Sequence, residues 1–310
     1  MTAPLRVGTR ASELARTQSG HVADALAAAL DREVVLVDVT TEGDTSSAPL
    51  ATFGGVGVFV NALRDALLRG DVDVAVHSLK DLPTTPHPDI VVAAVPTRED
   101  PRDVVVARDG LTLGELPAGA RVGTGSPRRA SQLHALGLGF VVDGIRGNVD
   151  TRIGKVTAGE FDAVVLARAG IARLGRLDEV TEVLDPLQML PAPGQGALAV
   201  ECRSTDTDLV DAVRTALDDP RTRAAVTAER TVLADLEAGC SAPVGALAEV
   251  AEGDEGDELW LRAVALSPDG GLSVRRSATG TPEDASEVGH RLAKEMLADG
   301  AGSLIEEKVS

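Results

Sequence analysis

Short runs of β-branched and other apolar residues alternate with Ala/Leu/Arg-rich helical stretches, and that rhythm constrains the fold more than any other feature of the chain. The runs fall at residues 34–39, 72–77, 90–95, 121–123, 140–142, 163–166 and 197–201. They predict βαβ units in an α/β fold, with mostly parallel sheets covered by helices on both faces. Breaks rich in proline and charge at 96–102 and 190–196 divide the first 217 residues. Two crossings between two lobes make a hinge, with residues 1–96 and 197–217 forming lobe 1 and residues 102–190 inserted as lobe 2. The pattern changes from about Pro220. A helix at 222–236, three apolar runs at 244–250, 258–266 and 272–278, and a helix at 282–297 predict a third, α+β domain over 220–310 with an antiparallel meander. The acidic run at 251–258 reads as a solvated hairpin loop.

A chain of 310 residues is too long for one ordinary core, in keeping with that division. Acidic side chains outnumber basic ones 48 to 30, and the net charge of -18 repels nucleic acid and anionic membrane surfaces wherever no local patch reverses it. One patch does. Between residues 121 and 155, Arg121, Arg128, Arg129, Arg146, Arg152 and Lys155 stand against Asp143 and Asp150, six minus two, an excess of four positive charges. An arginine-rich pocket on an acidic protein points to a small polyanion. With no Tyr, one Trp and four Phe, base stacking has little to work with. Two cysteines make no disulfide framework, no Cys/His spacing suggests a metal, and neither a signal segment nor a membrane span is visible. A cytoplasmic protein without nucleic-acid or membrane partners is expected.

The chemistry-bearing residues gather at strand ends and helix starts. Ser78, Lys80 and Asp81 follow an apolar strand at its carboxyl end, where open α/β sheets place ligands. For Lys80 and Asp81 the plain alternative is a surface ion pair. Ser126 and Pro127 make a strong helix start, a capping hydroxyl followed by proline, and they place Arg128 and Arg129 in the first turn. Cations there oppose the helix dipole, a conflict that an anion between them resolves. Asn148 is expected to cap a second helix, carrying Arg152, just after Arg146. Near the N-terminus, Arg10 and Ser12 leave a strand and enter a helix containing Gln18; the plain alternative is a capped helix with a solvated arginine. The Gly-rich stretch at 53–59 reads as part of a mobile flap, 41–58, and not as a phosphate loop. Cys202 lies in an apolar run and reads as a packed strand residue. Cys240 sits in a small-residue turn between Gly239 and Pro243, an accessible thiol with no histidine in a catalytic context, and so an attachment point.

Seven motifs in order carry a resemblance over essentially the whole chain. They are Gly8-Thr9-Arg10-Ala11-Ser12, Val76-His77-Ser78-Leu79-Lys80-Asp81-Leu82-Pro83, Glu99-Asp100-Pro101-Arg102-Asp103, Gly123-Thr124-Gly125-Ser126-Pro127-Arg128-Arg129, Arg146-Gly147-Asn148-Val149, Pro193-Gly194-Gln195-Gly196 and Gly239-Cys240. With them the sequence resembles the hydroxymethylbilane synthase (porphobilinogen deaminase) family. The resemblance implies two periplasmic-binding-protein-like lobes, a small C-terminal domain with a three-stranded antiparallel sheet, and a monomer. It implies a transferase that joins four porphobilinogen molecules head to tail with loss of ammonia and releases a linear tetrapyrrole with water. It also implies a dipyrromethane cofactor held by a thioether to Cys240.

On that resemblance Asp81 is the catalytic carboxylate that stabilises the cationic azafulvene left when ammonia departs. Cys240, Lys80, Ser78, Ser126, Arg128, Arg129 and Arg146 hold the cofactor. Arg10, Ser12, Gln18, Phe59, Arg152, Arg173 and Gln195 bind substrate. The flap departs from the family pattern at Thr52, Val56 and Asn61, where some relatives carry lysine, and Ala238 replaces a common glycine. The rival readings are a non-catalytic two-lobed binder of small anions and a cysteine-dependent transferase or hydrolase with its own base.

Overall fold

A computed structural model describes residues 3–39, 57–238, 242–254 and 256–306. The flap up to Val56, the Phe59 side chain and the Gly239-Cys240-Ser241 turn lie outside them. The chain opens with β1 (Leu5–Thr9), α1 (Glu13–Leu30), β2 (Val34–Asp38), α2 (Gly57–Arg69), β3 (Val74–Ser78) and β4 (Ile90–Ala94). There follow β5 (Asp103–Ala107), β6 (Arg121–Gly123), α3 (Pro127–Ala135), β7 (Val141–Asp143), α4 (Val149–Thr157), β8 (Ala163–Ala167), α5 (Arg168–Arg173) and β9 (Glu182–Val183). Next come β10 (Leu198–Arg203), α6 (Thr207–Leu217) and α7 (Pro220–Asp235). The chain then forms β11 (Val244–Gly253), β12 (Gly256–Leu266), β13 (Ser273–Gly280), α8 (Ala285–Ala298) and α9 (Ala301–Glu306).

These elements form two compact units, one of Met1–Glu99 with Ala197–Arg223, the other of Asp100–Gly196 with Ala224–Ser310. The first holds a five-stranded sheet in the order β2-β1-β3-β10-β4. Alternation along β3 shows why it is central. Val74 and Val76 enter a cluster with Val22 and Leu26 of α1 and Val213 of α6, while Ala75 between them enters another with Leu63 and Leu67 of α2. Helices therefore cover both faces, as the sequence predicts.

The second unit holds two sheets. Its five-stranded sheet, β7-β6-β8-β5-β9, is covered on one face by Leu133 of α3 and on the other by Ile153 and Val156 of α4 with Ile171 of α5. The three-stranded sheet β11-β12-β13 buries Ala246, Ala248, Leu259 and Leu261 against α7, α8 and α9. Leu247, Val264 and Leu266, alternating with these, meet Leu190 on the opposite face.

Two expectations are corrected here. The five-stranded sheets are mixed, because β10 runs antiparallel to both its neighbours and β5 to both of its own. The connections into these strands, 95–102 before β5 and 184–197 before β10, carry no crossover helix, and the run that forms β5 is absent from the predicted strands. The acidic 251–258 segment is mostly strand: β11 and β12 stay paired out to Gly253 and Gly256, so the hairpin arm is ladder almost to its tip.

Candidate active site

In the first unit, β1 and β3 are parallel neighbours, so their carboxyl ends lie side by side. Arg10 follows the first and Ser78 ends the second. The Gln18 amide donates to the Ser78 hydroxyl at 3.2 Å, tying α1 to β3. Ser12 caps α1, its hydroxyl accepting from the Ala15 N–H at 3.4 Å. After Ser78 the backbone makes one 3-10 turn, Leu79–Asp81, pinned by Leu79 N–H to the Ala197 carbonyl. Lys80 and Asp81 are half-buried on this turn. They do not pair with each other, and among the described residues the Asp81 carboxylate has no hydrogen-bond or ion-pair partner. The surface ion pair is thus excluded, leaving a carboxylate whose negative charge is unspent at a sheet's carboxyl end.

Beneath this group lies a buried network that the sequence reading missed. Glu201 of β10 takes two bonds from Arg64 of α2, at 3.0 and 2.6 Å, and stands 3.1 Å from His77 Nε2. Burial pushes the Glu201 carboxyl up, but His77 and Arg64 outweigh it and hold the group at about 2. An acidic residue inside the apolar run of β10 was the available signal. Cys202, next along the strand, is fully buried, and burial pushes its thiol up to about 12, as suits a packed residue.

In the second unit the carboxyl ends of β6, β7 and β8 gather, since β6 pairs in parallel with both others. Arg128 and Arg129 follow β6, Arg146 and Arg152 follow β7, and α5 with Arg173 follows β8. Because β5 is antiparallel, its first residue arrives at this same end, with Asp103 opposite Ala167. That reversal supplies the anion. Asp103 Oδ1 accepts from Arg129 Nη2 at 2.8 Å, and Oδ2 lies 2.8 Å from Arg128 Nη2. Gln195 donates to Asp103 Oδ1 at 2.8 Å and to the Pro101 carbonyl at 2.7 Å. Asp103 has no solvent exposure; burial pushes its carboxyl up, and the two guanidiniums with Gln195 hold it at about 2.

The conflict between arginines and helix dipole is therefore met from within the chain, by a residue that sequence reasoning left unassigned. Its signal was an aspartate opening the run Val104-Val105-Val106. One carboxylate against two guanidiniums still leaves positive charge, and the buried Arg128 Nε has no hydrogen-bond partner among the described residues. Burial, then the like charge of Arg129, lowers the Arg152 guanidinium from its usual value. Two members of the predicted patch drop out. Arg121 pairs with Asp143 at 2.9 Å over the Phe161 ring, and Lys155 stands 3.7 Å from Glu160.

The helix starts also differ from expectation in one respect. Asn148 caps α4, accepting from Thr151 N–H at 2.9 Å, and Gly147 reaches it at φ +110°, where a Cβ would lie 2.6 Å from Thr151. Ser126 stands at the N-cap of α3, but its hydroxyl makes no capping bond; Pro127 sets the first turn without it. The start of α3 therefore has no side-chain cap. Arg152 donates to the Gly147 carbonyl at 2.8 Å and Arg173 to that of Gly196 at 2.7 Å, while Arg146 is exposed.

A surplus of buried guanidinium, one buried donor to spare and an uncapped helix start suit a ligand with several carboxylates. Dipyrromethane, with an acetate and a propionate on each ring, fits that donor set. Residues 5–211 match the family model described as porphobilinogen deaminase, dipyromethane cofactor binding domain, and residues 223–298 match its C-terminal domain. A porphobilinogen deaminase from Nocardia farcinica is 60% identical over 309 residues, covering 98% of this chain and 88% of its own length. Porphobilinogen deaminase 1 of Streptomyces coelicolor is 60% identical over 313 residues, covering 98% of both. A periplasmic substrate-binding protein of an ABC transporter from Coxiella burnetii is 14% identical with a TM-score of 0.43, over 67% of this chain and 91% of its own.

Proposed function

Since the chain belongs to the porphobilinogen deaminase family, we propose the way in which its own residues perform hydroxymethylbilane synthesis. The reaction joins four porphobilinogen molecules head to tail, each losing ammonia, and water releases the linear tetrapyrrole. The observation that carries the residue assignment is the unspent Asp81 carboxylate at the carboxyl end of β3. When ammonia leaves the aminomethyl group of porphobilinogen, the remaining pyrrole is a cationic azafulvene. A fixed carboxylate beside the pyrrole N–H stabilises that cation more than it stabilises the neutral ring, and so lowers the barrier instead of merely tightening binding. Lys80, Arg10 and Ser12 take the acetate and propionate groups of pyrroles in the first unit, with Gln18 and Ser78 holding the turn in register.

Dipyrromethane, when bound, supplies the nucleophilic pyrrole carbon from which the chain grows. Cys240 holds it by a thioether. Arg128, Arg129, Ser126 and Arg146 bind its carboxylates, and Arg152 and Arg173 add guanidiniums for rings joined later. Asp103 keeps the first two arginines apart and aimed, so that a carboxylate entering beside Arg128 Nε meets donors already in place. A cytoplasmic, monomeric enzyme is part of the same reading, and the low cysteine content suits a reducing compartment.

The test is turnover. Porphobilinogen should be consumed with four ammonia molecules released per tetrapyrrole, and Asp81→Asn should stop both together. Saturable binding of porphobilinogen with no ammonia released would favour the non-catalytic anion binder instead.

A further inference from the structure

Glu229 is a fully buried carboxylate in α7 that has been given no role above. One oxygen, Oε2, accepts from the Gly194 N–H at 2.6 Å; the other, Oε1, accepts from the Ala248 N–H of β11 at 2.8 Å. A single side chain thus closes on the connecting segment before β10 and on the three-stranded sheet. Charge-assisted bonds from backbone N–H groups to a buried carboxylate are strong, and they fix position because neither partner has a side-chain torsion to relax.

The residue after Gly194 is Gln195, whose amide donates to Asp103 and to the Pro101 carbonyl. Asp103 in turn holds Arg128 and Arg129. The same segment is fastened upstream, where the Leu190 carbonyl accepts from Arg128 Nη1 at 2.6 Å and Gln132 bonds both the N–H and the carbonyl of Leu190. The Pro191 carbonyl accepts from Ala246 N–H of β11. Between these fixings and Gln195, Gly194 is the point where α7 takes hold.

We infer that Glu229 is a positioning residue: by anchoring Gly194 it sets where Gln195 meets Asp103, and so sets the spacing of the Arg128–Arg129 pair that binds carboxylates. The inference rests on the proposed role of those arginines. It differs from a packing role in what it predicts, because a carboxylate that only stabilises the fold acts equally on every property that folding controls.

The experiment is a double-mutant cycle on kcat/KM for porphobilinogen with Glu229→Gln, Gln195→Leu and the pair, run well below the unfolding temperature of each variant. Glutamine is nearly isosteric and keeps one acceptor but turns an N–H toward one of the two backbone donors. If Glu229 acts through Gln195, each single variant should lose roughly tenfold or more in kcat/KM with the loss mainly in KM, and the double variant should lose no more than the worse single. Losses that multiply, or a Glu229→Gln variant with a lowered Tm and unchanged kcat/KM, would overturn the inference. Wild-type enzyme that releases no ammonia at all would instead sink the functional reading on which it rests. Should Glu229→Gln not fold, amide exchange on wild type decides: Gly194 and Ala248 N–H should be protected alike, and Gly194 exchanging like an exposed turn while Ala248 stays protected would contradict the anchor.

Discussion

Two aspartates in this chain have opposite employment. Asp81 is half-buried and has no ion-pair partner among the described residues, whereas Asp103 is fully buried between two guanidiniums. Asp81→Asn should therefore fold normally, with a Tm near that of wild type, and lose roughly a hundredfold or more in kcat. Asp103→Asn should do the reverse first. It strands two buried cations, a loss of about 3–5 kcal/mol that urea denaturation would register. The same carboxylate has a pH signature. Asp103 and Glu201 are held at about 2 in the folded chain, below their ordinary 3.8 and 4.5. A depressed folded value means that both contribute stability above those ordinary values and lose it as pH falls toward 2. Wild-type stability should drop through this window, and Asp103→Asn or Glu201→Gln should flatten that part of the curve; an unchanged slope would show that these groups do not govern acid unfolding. The sequence exposed Asp81 because it stands in a polar cluster after an apolar strand. Asp103 and Glu201 showed in it only as acidic residues at apolar runs, and Glu229 not at all, because the partners that give these carboxylates their roles are distant in sequence.

At the element scale, the two arginine-bearing helices begin alike in sequence and differently in structure. Asn148 accepts a capping bond and Ser126 does not. Asn148→Ala should then cost about 1 kcal/mol of stability, the usual worth of a cap, whereas Ser126→Ala should change it by only a few tenths. Chemical denaturation of the two variants checks the contrast, and equal losses would mean that the Ser126 hydroxyl is engaged after all. A turn of the three-stranded sheet braces α3 from the side. Gly270 sits at φ +71°, with room for no Cβ: one placed there would lie 2.4 Å from the Ser131 carbonyl oxygen. Gly270→Ala should cost roughly 1–3 kcal/mol through strain alone. The helices, and the residues at their starts, were legible because proline, asparagine and apolar periodicity act locally. The antiparallel entry of β5 and β10 was not, since strand direction depends on where a long connection returns.

At the scale of the whole molecule, composition went a long way. The acidic balance and the arginine excess confined to one stretch pointed to a small polyanion, while Cys240 by itself left both attachment and cysteine-dependent catalysis open. The change of rhythm near Pro220 predicts a third domain, whereas the contacts group Ala224–Ser310 with Asp100–Gly196 in one unit. Under the proposed function, this chain builds its product on a covalently held dipyrrole. Denaturing intact-mass analysis of freshly purified, active protein, followed by peptide mapping, tests that claim most directly. The expected result is a mass excess equal to one dipyrromethane, confined to the peptide containing Cys240 and missing from Cys240→Ala, which should fold without turnover. An unmodified Cys240 peptide from fully active enzyme would contradict it.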